Sequence, residues 1–289
     1  MMWSLRSAQQ SVPEAPAPVL HLSGPRLRRA FENLVESAEA TGGVERYVTA
    51  LSLKASLFEE ILGQGRVAQV TEVEFLDLVA FVAPVRRRIG AWLAGSRFEL
   101  MRKRLVGLLE GWSDTSNVDR RIAEFCEGFP PDRDHRWTRD LAAEVLHFVA
   151  PERYPLMTRW IWDARVGTGV LREIWHAEDV DRARIDVDDT LATHLTLREE
   201  LEGFLVDNGV FRDVPFCVDL LCAHVYAGYI NDRGGQYLRP DFCGDPAGGM
   251  LHTRRMLGLD AVDSETGRTR LKLIDGEAHV LGETPRLTS

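Results

Sequence analysis

The sequence predicts a mainly α-helical fold, a multi-helix globular assembly with a small C-terminal β-hairpin at about residues 268–282. Apolar residues recur at helical spacing through most of the chain between residues 23 and 230, the pattern of helices that bury one face. The composition, 45% hydrophobic and 27% charged over 289 residues, is that of an ordinary globular protein with a sizeable core. Apolar residues around Asp275-Gly276 alternate instead, which predicts the hairpin.

Proline and glycine bound the first two predicted helices. The Ser-Gly-Pro segment 23–25 predicts the start of the first helix, because proline in the first turn sacrifices no hydrogen bond. The glycine pair 42–43 predicts its end, and Gly63 predicts the end of the second helix. A proline-containing leader, residues 1–22, precedes them and is expected to be flexible or extended.

The rest of an N-terminal subregion, residues 23–112, continues in helices. Thr71 and Glu74 form a capping-box signature that predicts a third helix start. Pro84 disfavours a helical conformation for the residue before it, so this helix should break there. A long amphipathic helix is then expected over 85–112.

A C-terminal subregion, residues 113–289, shows a second group of helical patterns. A second capping-box signature, Thr196 with Glu199, predicts a helix that Gly209 closes. The other helices are expected at 117–127, at 138–149, at 155–176 with an interruption at Gly167 and Gly169, at 179–185 and at 216–230.

The predicted hairpin has a two-residue turn of the type I′ kind. Counting outward from the turn places Leu273 opposite Ala278 and Leu271 opposite Val280, which gives one apolar face. Because an isolated hairpin is marginally stable in water, we expect this face to dock on the helical body.

Charge and cysteine content limit the class of protein. The formal net charge of -9 argues against an overall design for DNA or RNA, whose binders carry a basic face. No apolar stretch reaches the roughly 18 to 20 residues needed to cross a bilayer, and the N-terminus lacks the apolar segment of a secretory signal. The four cysteines are too few for a disulfide scaffold. We therefore expect a soluble cytoplasmic protein without membrane contact.

The longest stretch without a periodic pattern, residues 231–250, is the first candidate site. Its glycines and prolines are too frequent for a helix, and irregular loops of this length are usually functional or disordered. Charged and aromatic residues suited to ligand or partner contact interleave in it, namely Arg233, Tyr237, Arg239 and Asp241. The alternative is a structural loop that its aromatic residues pin to the core.

The segment 160–169 is the second candidate site. It contains Trp162, Asp163 and Arg165 together with two glycines, which would let the backbone approach an anion. No strand precedes it, and its spacing is neither a Walker loop nor a dinucleotide fingerprint. The alternative is a glycine break between two helices.

Four residues of metal-ligating type, Cys217, Cys222, His224 and Cys243, lie near one another in sequence. Five residues along a helix rotate the chain by about 140°, so Cys217 and Cys222 do not share a face. The spacing also lacks the close cysteine pairs of zinc sites. We therefore expect no metal and no other cofactor.

The segment 86–104 carries seven cations and one acid, Glu99. Such a segment is suited to nucleic acid, a phosphorylated ligand or an acidic partner. The alternative is a helix face in water, partly compensated by acidic residues between 173 and 189.

No catalytic set emerges, since neither Gly-x-Ser-x-Gly nor His-Glu-x-x-His occurs, and His147 is expected in the core or at its boundary. The sequence LHFVAPERYP at 146–155, followed by Trp162-Asp163, resembles a segment of the helix–hairpin–helix DNA glycosylases, which implies nucleic-acid binding as an alternative. The Gly-hydrophobic-Gly hairpin of that family does not occur in the preceding residues 126–141. No catalytic residue is therefore carried over.

These patterns favour a non-enzymatic accessory or adaptor protein that binds a protein partner through aromatic and arginine side chains, the residue types that dominate interface energetics. One alternative is an enzyme that holds a small anionic ligand with Arg165, Arg233 and Arg239 and positions it with Asp163 or Asp241. Another is a nucleic-acid-binding protein that uses the segment 86–104.

Overall fold

The structure is a computed structural model that describes residues 17–95, 97–180, 182–234 and 246–260, with the backbone of 273–274 and 277–278. For 231–234 and 246–249 it describes the backbone alone. In this part of the chain there are eleven α-helices: α1 (Gly24–Glu39), α2 (Val44–Leu62), α3 (Glu72–Val79), α4 (Ile89–Leu93), α5 (Phe98–Leu109), α6 (Val118–Glu127), α7 (Trp137–Val149), α8 (Val170–Glu173), α9 (Leu191–Asp207), α10 (Val214–Gly234) and α11 (Pro246–Met256). The prediction of a mainly α-helical fold is confirmed.

Helix α7 lies at the centre of the fold. Twelve of its thirteen residues are buried, which is typical of a helix surrounded by others. Helix α2 packs against α7 and α10, while α1, α9 and α11 pack against α10. The hydrophobic core extends from Leu20 to Leu259, so both predicted subregions, 23–112 and 113–289, contribute side chains to it.

Several helix ends lie where local signals predicted them. Helix α1 begins at Gly24 with proline in its first turn, and α2 ends just before Gly63. Both hydrogen bonds of the capping box are present at α3, between Thr71 and Glu74. These ends are set by residues that contact their own helix, which is why the sequence discloses them.

The predicted long helix over 85–112 is wrong. The structure has two helices there, α4 and α5, separated by a turn in which Gly95 has a φ of +90°. Glycine adopts this left-handed conformation readily, and no α-helix continues through it. The amphipathic pattern therefore belongs to two short helices rather than to one.

The helix expected over 179–185 is absent from the described residues. The one expected over 155–176 is present only as the four-residue α8, which begins after the predicted interruption at Gly167 and Gly169. The other described residues of this stretch form turns, bends and extended backbone. The turn closes where the Asp163 N–H donates to the Thr168 carbonyl at 2.9 Å. Gly169 has a φ of +129°, and a Cβ there would lie 2.6 Å from the Ile161 carbonyl oxygen. The glycine thus permits a close backbone approach that any side chain would prevent.

The second capping box is wrong as well, because Thr196 lies inside α9. Its hydroxyl donates to the Ala192 carbonyl one turn earlier at 3.0 Å, a common position for threonine within a helix. Thr190 occupies the N-cap position instead. Gly209, with a φ of +89°, follows the end of the helix as predicted.

The predicted leader and loop lie partly outside the described residues. The end of the leader belongs to the fold, since the His21 carbonyl accepts a hydrogen bond from the His176 N–H at 2.7 Å. The predicted loop 231–250 is irregular over less of its length than expected, because 231–234 complete α10 and 246–250 begin α11. Residues 235–245 lie outside the described part.

Two short strands are described near the C-terminus. The backbone of Leu273–Ile274 (β1) pairs antiparallel with that of Glu277–Ala278 (β2). The remainder of 268–282, including the apolar face expected to dock on the helices, lies outside the described residues. The hairpin therefore stays a prediction. None of the described helices combines the length and the apolar character required to traverse a lipid bilayer.

Candidate anion-binding site

A cavity of about 530 Å³ opens to solvent where five separate parts of the chain meet. Its walls come from the turn after α3, the start of α7, the loop 159–168, the middle of α10 and the end of α11. We call it the arginine cavity, and its lining residues are Ala83, Pro84, Arg86, Arg87, Arg136, Asp140, Arg159, Trp160, Asp163, Val166, Thr168, Tyr226, Arg255 and Met256. Its volume lies within the range of small-ligand sites.

Five arginines and two aspartates line the arginine cavity, so its walls carry an excess of three positive charges. Two of these arginines already bind acids. Arg86 donates two parallel hydrogen bonds to Asp260, at 2.8 and 2.9 Å. Arg159 donates to Asp140 at 2.6 Å. These paired arginines are held in fixed orientations.

The other three arginines of the cavity, Arg87, Arg136 and Arg255, are exposed. Within the described part of the chain, none of them forms a side-chain hydrogen bond or an ion pair. A guanidinium carries five N–H donors in a planar fork that matches phosphate and carboxylate. The three exposed side chains are therefore available to an anionic ligand.

Asp140 holds Arg159, a residue of the cavity wall, in place. The aspartate is 2% exposed and accepts from both the backbone N–H of Arg159, at 3.0 Å, and its guanidinium. These bonds use the Nε and Nη2 groups of Arg159. The buried carboxylate thus orients the guanidinium while its Nη1 group takes no part in the bonds to Asp140.

An aromatic wall stands beside the cations. The rings of Trp160 and Tyr226 lie 5.9 Å apart between centroids. Tyr226 is half-buried, and burial raises the pKa of its hydroxyl, which is therefore protonated at neutral pH. Trp160 is 6% exposed, and its indole N–H has no hydrogen-bond acceptor among the described residues. The two rings therefore place aromatic surface beside the cations of the cavity.

Two walls of the cavity are anchored in the core by Lys54. Its ammonium donates to the carbonyls of Phe81 and Leu257, each at 2.9 Å, and to Glu144 at 2.7 Å. Phe81 precedes the turn that carries Arg86 and Arg87, and Leu257 follows directly on Arg255 and Met256. The core therefore fixes the spacing between the two segments that supply three of the five arginines.

Lys54 belongs to a buried charged cluster with Glu144, His147 and Asp219. Desolvation lowers the pKa of Lys54 and raises that of Glu144, while their mutual attraction opposes both shifts. His147 Nε2 lies 2.8 Å from Asp219 Oδ2, and its Nδ1 lies 2.7 Å from the Tyr154 carbonyl oxygen. All four residues are at most 4% exposed. The cluster is therefore internal, and His147 lies in the core, as expected from the sequence.

The structure distributes the predicted site residues differently from the prediction. Trp162 is fully buried and its indole N–H donates to the Val187 carbonyl at 2.9 Å, so it is a core residue without a contact surface. Asp163 lines the arginine cavity. Arg165 is exposed and lines a neighbouring depression that shares Arg136, Arg159 and Asp163 with that cavity.

The remaining predicted site residues cannot be placed in this way. The side chain of Arg233, and Tyr237, Arg239 and Asp241 as whole residues, lie outside the described part of the chain. Their role in ligand or partner contact stays a prediction.

The basic segment 86–104 does not form one surface. Arg86 and Arg87 reach the arginine cavity, whereas Arg102 pairs with Glu99. The Arg104 guanidinium lies over an aromatic ring, that of Phe129, 5.5 Å from its centroid. These cations therefore lie in different environments, because α4 and α5 are two helices separated by a turn and do not form one continuous face.

Within the described residues, no group of three or more histidine, cysteine or acidic side chains is arranged to hold a metal ion. Cys217 and Cys222 are buried, and burial raises the pKa of the Cys217 thiol to about 11. Cys243 lies outside the described part. Buried thiols of this kind pack as small apolar groups.

Sequence reasoning missed Arg136, Arg159 and Arg255 as site residues. Each stands in a different segment, with no motif around it. No local signal could have selected these three from the other arginines of the chain, because the cavity arises from packing of distant elements.

Comparisons with family models, with curated proteins and with solved structures gave no match for this chain.

Proposed function

We propose that this protein binds a small anionic ligand, carrying phosphate or carboxylate groups, in the arginine cavity. The observation that carries the proposal is the set of three exposed arginines, Arg87, Arg136 and Arg255, which line one cavity from three separate segments and form no ion pair among the described residues. Exposed cations usually spread over a surface, whereas these converge. Convergent polar groups in a concave site are typical of ligand binding.

The energetics favour a ligand with more than one acidic oxygen. A hydrogen bond to a charged group contributes roughly 1.5–3 kcal/mol, and arginine binds phosphate and carboxylate through two parallel bonds. Arg159, oriented by Asp140, adds a preorganised donor group, and preorganisation reduces the entropy lost on binding. A phosphoryl group contacting two or three of these side chains is the simplest ligand fragment that satisfies them.

The proposal replaces the predicted location of the anion site rather than the predicted chemistry. The sequence offered a small anionic ligand only as an alternative to the adaptor function, bound near 231–250 with Arg165, Arg233 and Arg239 as its binding residues. The arginine cavity instead uses residues of α7, α11 and two turns. The adaptor hypothesis stays a prediction, since most of the contact residues it named lie outside the described part and Trp162 lies in the core.

The test is titration calorimetry with inorganic pyrophosphate at about 50 mM salt, where screening of charges is weak. We expect saturable binding to the unaltered protein and a loss of at least about tenfold in the double variant R87Q/R136Q, since about 1.4 kcal/mol corresponds to a factor of ten. Both side chains are exposed, so the substitutions should change stability by no more than about 0.5 kcal/mol.

The matched control is R28Q/R29Q, which removes two exposed arginines on α1 outside the cavity. It should bind pyrophosphate as the unaltered protein does. No saturable binding, or an equal loss in both double variants, would contradict the proposal, because a nonspecific charge effect does not depend on position.

A further inference from the structure

The arginine cavity is apolar as well as cationic. Ala83, Pro84, Val166 and Met256 line it together with the aromatic wall of Trp160 and Tyr226. A ligand composed of phosphate alone would leave this apolar surface in contact with water. The cavity, about 530 Å³ in volume, is also far larger than a phosphate group requires, since pockets of several hundred Å³ typically enclose whole organic ligands.

The aromatic wall of the cavity lies beside side chains that can form hydrogen bonds. Tyr226 presents a half-buried ring on which a planar ring can stack. Trp160 beside it is 6% exposed and adds a second aromatic ring to this wall. Asp163 and Thr168, which also line the cavity, add an acceptor and a hydroxyl. A planar ring that contains hydrogen-bonding nitrogen and oxygen atoms matches these groups, whereas a hydrocarbon ring leaves them unpaired.

On the strength of these two features we infer that the ligand of the arginine cavity is a nucleotide. Its phosphates would be held by Arg87, Arg136 and Arg255, and its base would lie against Tyr226 and Trp160. This inference rests on the proposed function and narrows the ligand from any small anion to a phosphorylated heterocycle.

The experiment compares three probes by titration calorimetry: ADP, ribose 5-phosphate and inorganic pyrophosphate. We expect ADP to bind at least about tenfold more tightly than either of the others, since stacking of a base on an aromatic side chain contributes about that much. If ADP shows no advantage over pyrophosphate, the nucleotide assignment is overturned and the anion site remains. If none of the three binds, the proposed function fails with it.

A variant of Tyr226 and its matched control distinguish the contact with the base from the contacts with the phosphates. Y226L should remove most of the advantage of ADP while leaving pyrophosphate affinity within about twofold, because the arginines are unchanged. Equal losses for both probes would mean that Tyr226 only supports the cavity, and would overturn the stacking role. F211L, at a side chain that is 72% exposed and outside the cavity, is the matched aromatic control and should bind all probes normally.

Discussion

Replacing Lys54 by methionine, K54M, is the sharpest test of how the core supports the arginine cavity. Lys54 and Glu144 have side-chain exposures of 0% and 1% and lie 2.7 Å apart. All three ammonium protons are used, because Lys54 also donates to the carbonyls of Phe81 and Leu257. Its ammonium lies 3.8 Å from the centroid of the Phe148 ring, so methionine replaces a stem already packed in apolar surroundings.

The expected cost follows from what K54M leaves behind. Removing one partner of a buried ion pair costs about 3–5 kcal/mol, and each buried carbonyl deprived of its donor adds on the order of 1 kcal/mol. K54M should therefore lower the free energy of unfolding by at least about 5 kcal/mol. In K54M/E144L the buried carboxylate is gone as well, so this double variant should be about 3 kcal/mol more stable than K54M.

Urea denaturation followed by circular dichroism measures these differences. The matched control is R120A, which breaks the exposed pair between Arg120 and Glu124, with exposures of 66% and 56%, and should cost less than about 1 kcal/mol. A cost below 1 kcal/mol for K54M, or a double variant no more stable than K54M, would refute the reasoning. If K54M fails to fold while K54M/E144L folds, the prediction is supported, because removal of the Glu144 carboxylate then rescues the loss of Lys54.

Two further predictions concern pH and backbone geometry. Burial lowers the pKa of His194 to about 4 from its ordinary 6.5, so the folded state favours the neutral ring. The resulting contribution to the free energy of unfolding is fully present above pH 6.5. About 3 kcal/mol of it is lost as the pH falls toward 4. H194Q should show a shallower fall of unfolding free energy over that interval, and an unchanged slope would refute the assignment. Gly258 has a φ of +72°, and a Cβ there would lie 1.8 Å from the Phe81 carbonyl oxygen. G258A should therefore lower the free energy of unfolding by more than about 2 kcal/mol. The control G203A, on an open face of α9, should raise it by about 0.5–1 kcal/mol, and equal effects of the two variants in urea denaturation would contradict this prediction.

Local signals determined much of the helical framework. The capping box at Thr71, the proline after Ser23 and the glycine at 63 act on their own helix, so the residues that decide each end stand within a few positions of it. The errors occurred where a non-local contact competed with the pattern. Gly167 and Gly169 predicted a break within 155–176, yet the helix expected before them is absent, and Gly169 packs against the Ile161 backbone where the chain turns.

The candidate site shows the same division more sharply. The sequence by itself determined that the protein is helical. It also indicated that Asp163 lies in a glycine-containing candidate site, and that the segment 86–104 has more cations than acids. Only the tertiary structure decided which arginines matter, since Arg87, Arg136 and Arg255 come from segments far apart in the chain and meet because α7, α10 and α11 pack around a common core. Periodicity and caps are properties of neighbouring residues, whereas convergence of side chains depends on helix packing that no short stretch of sequence encodes.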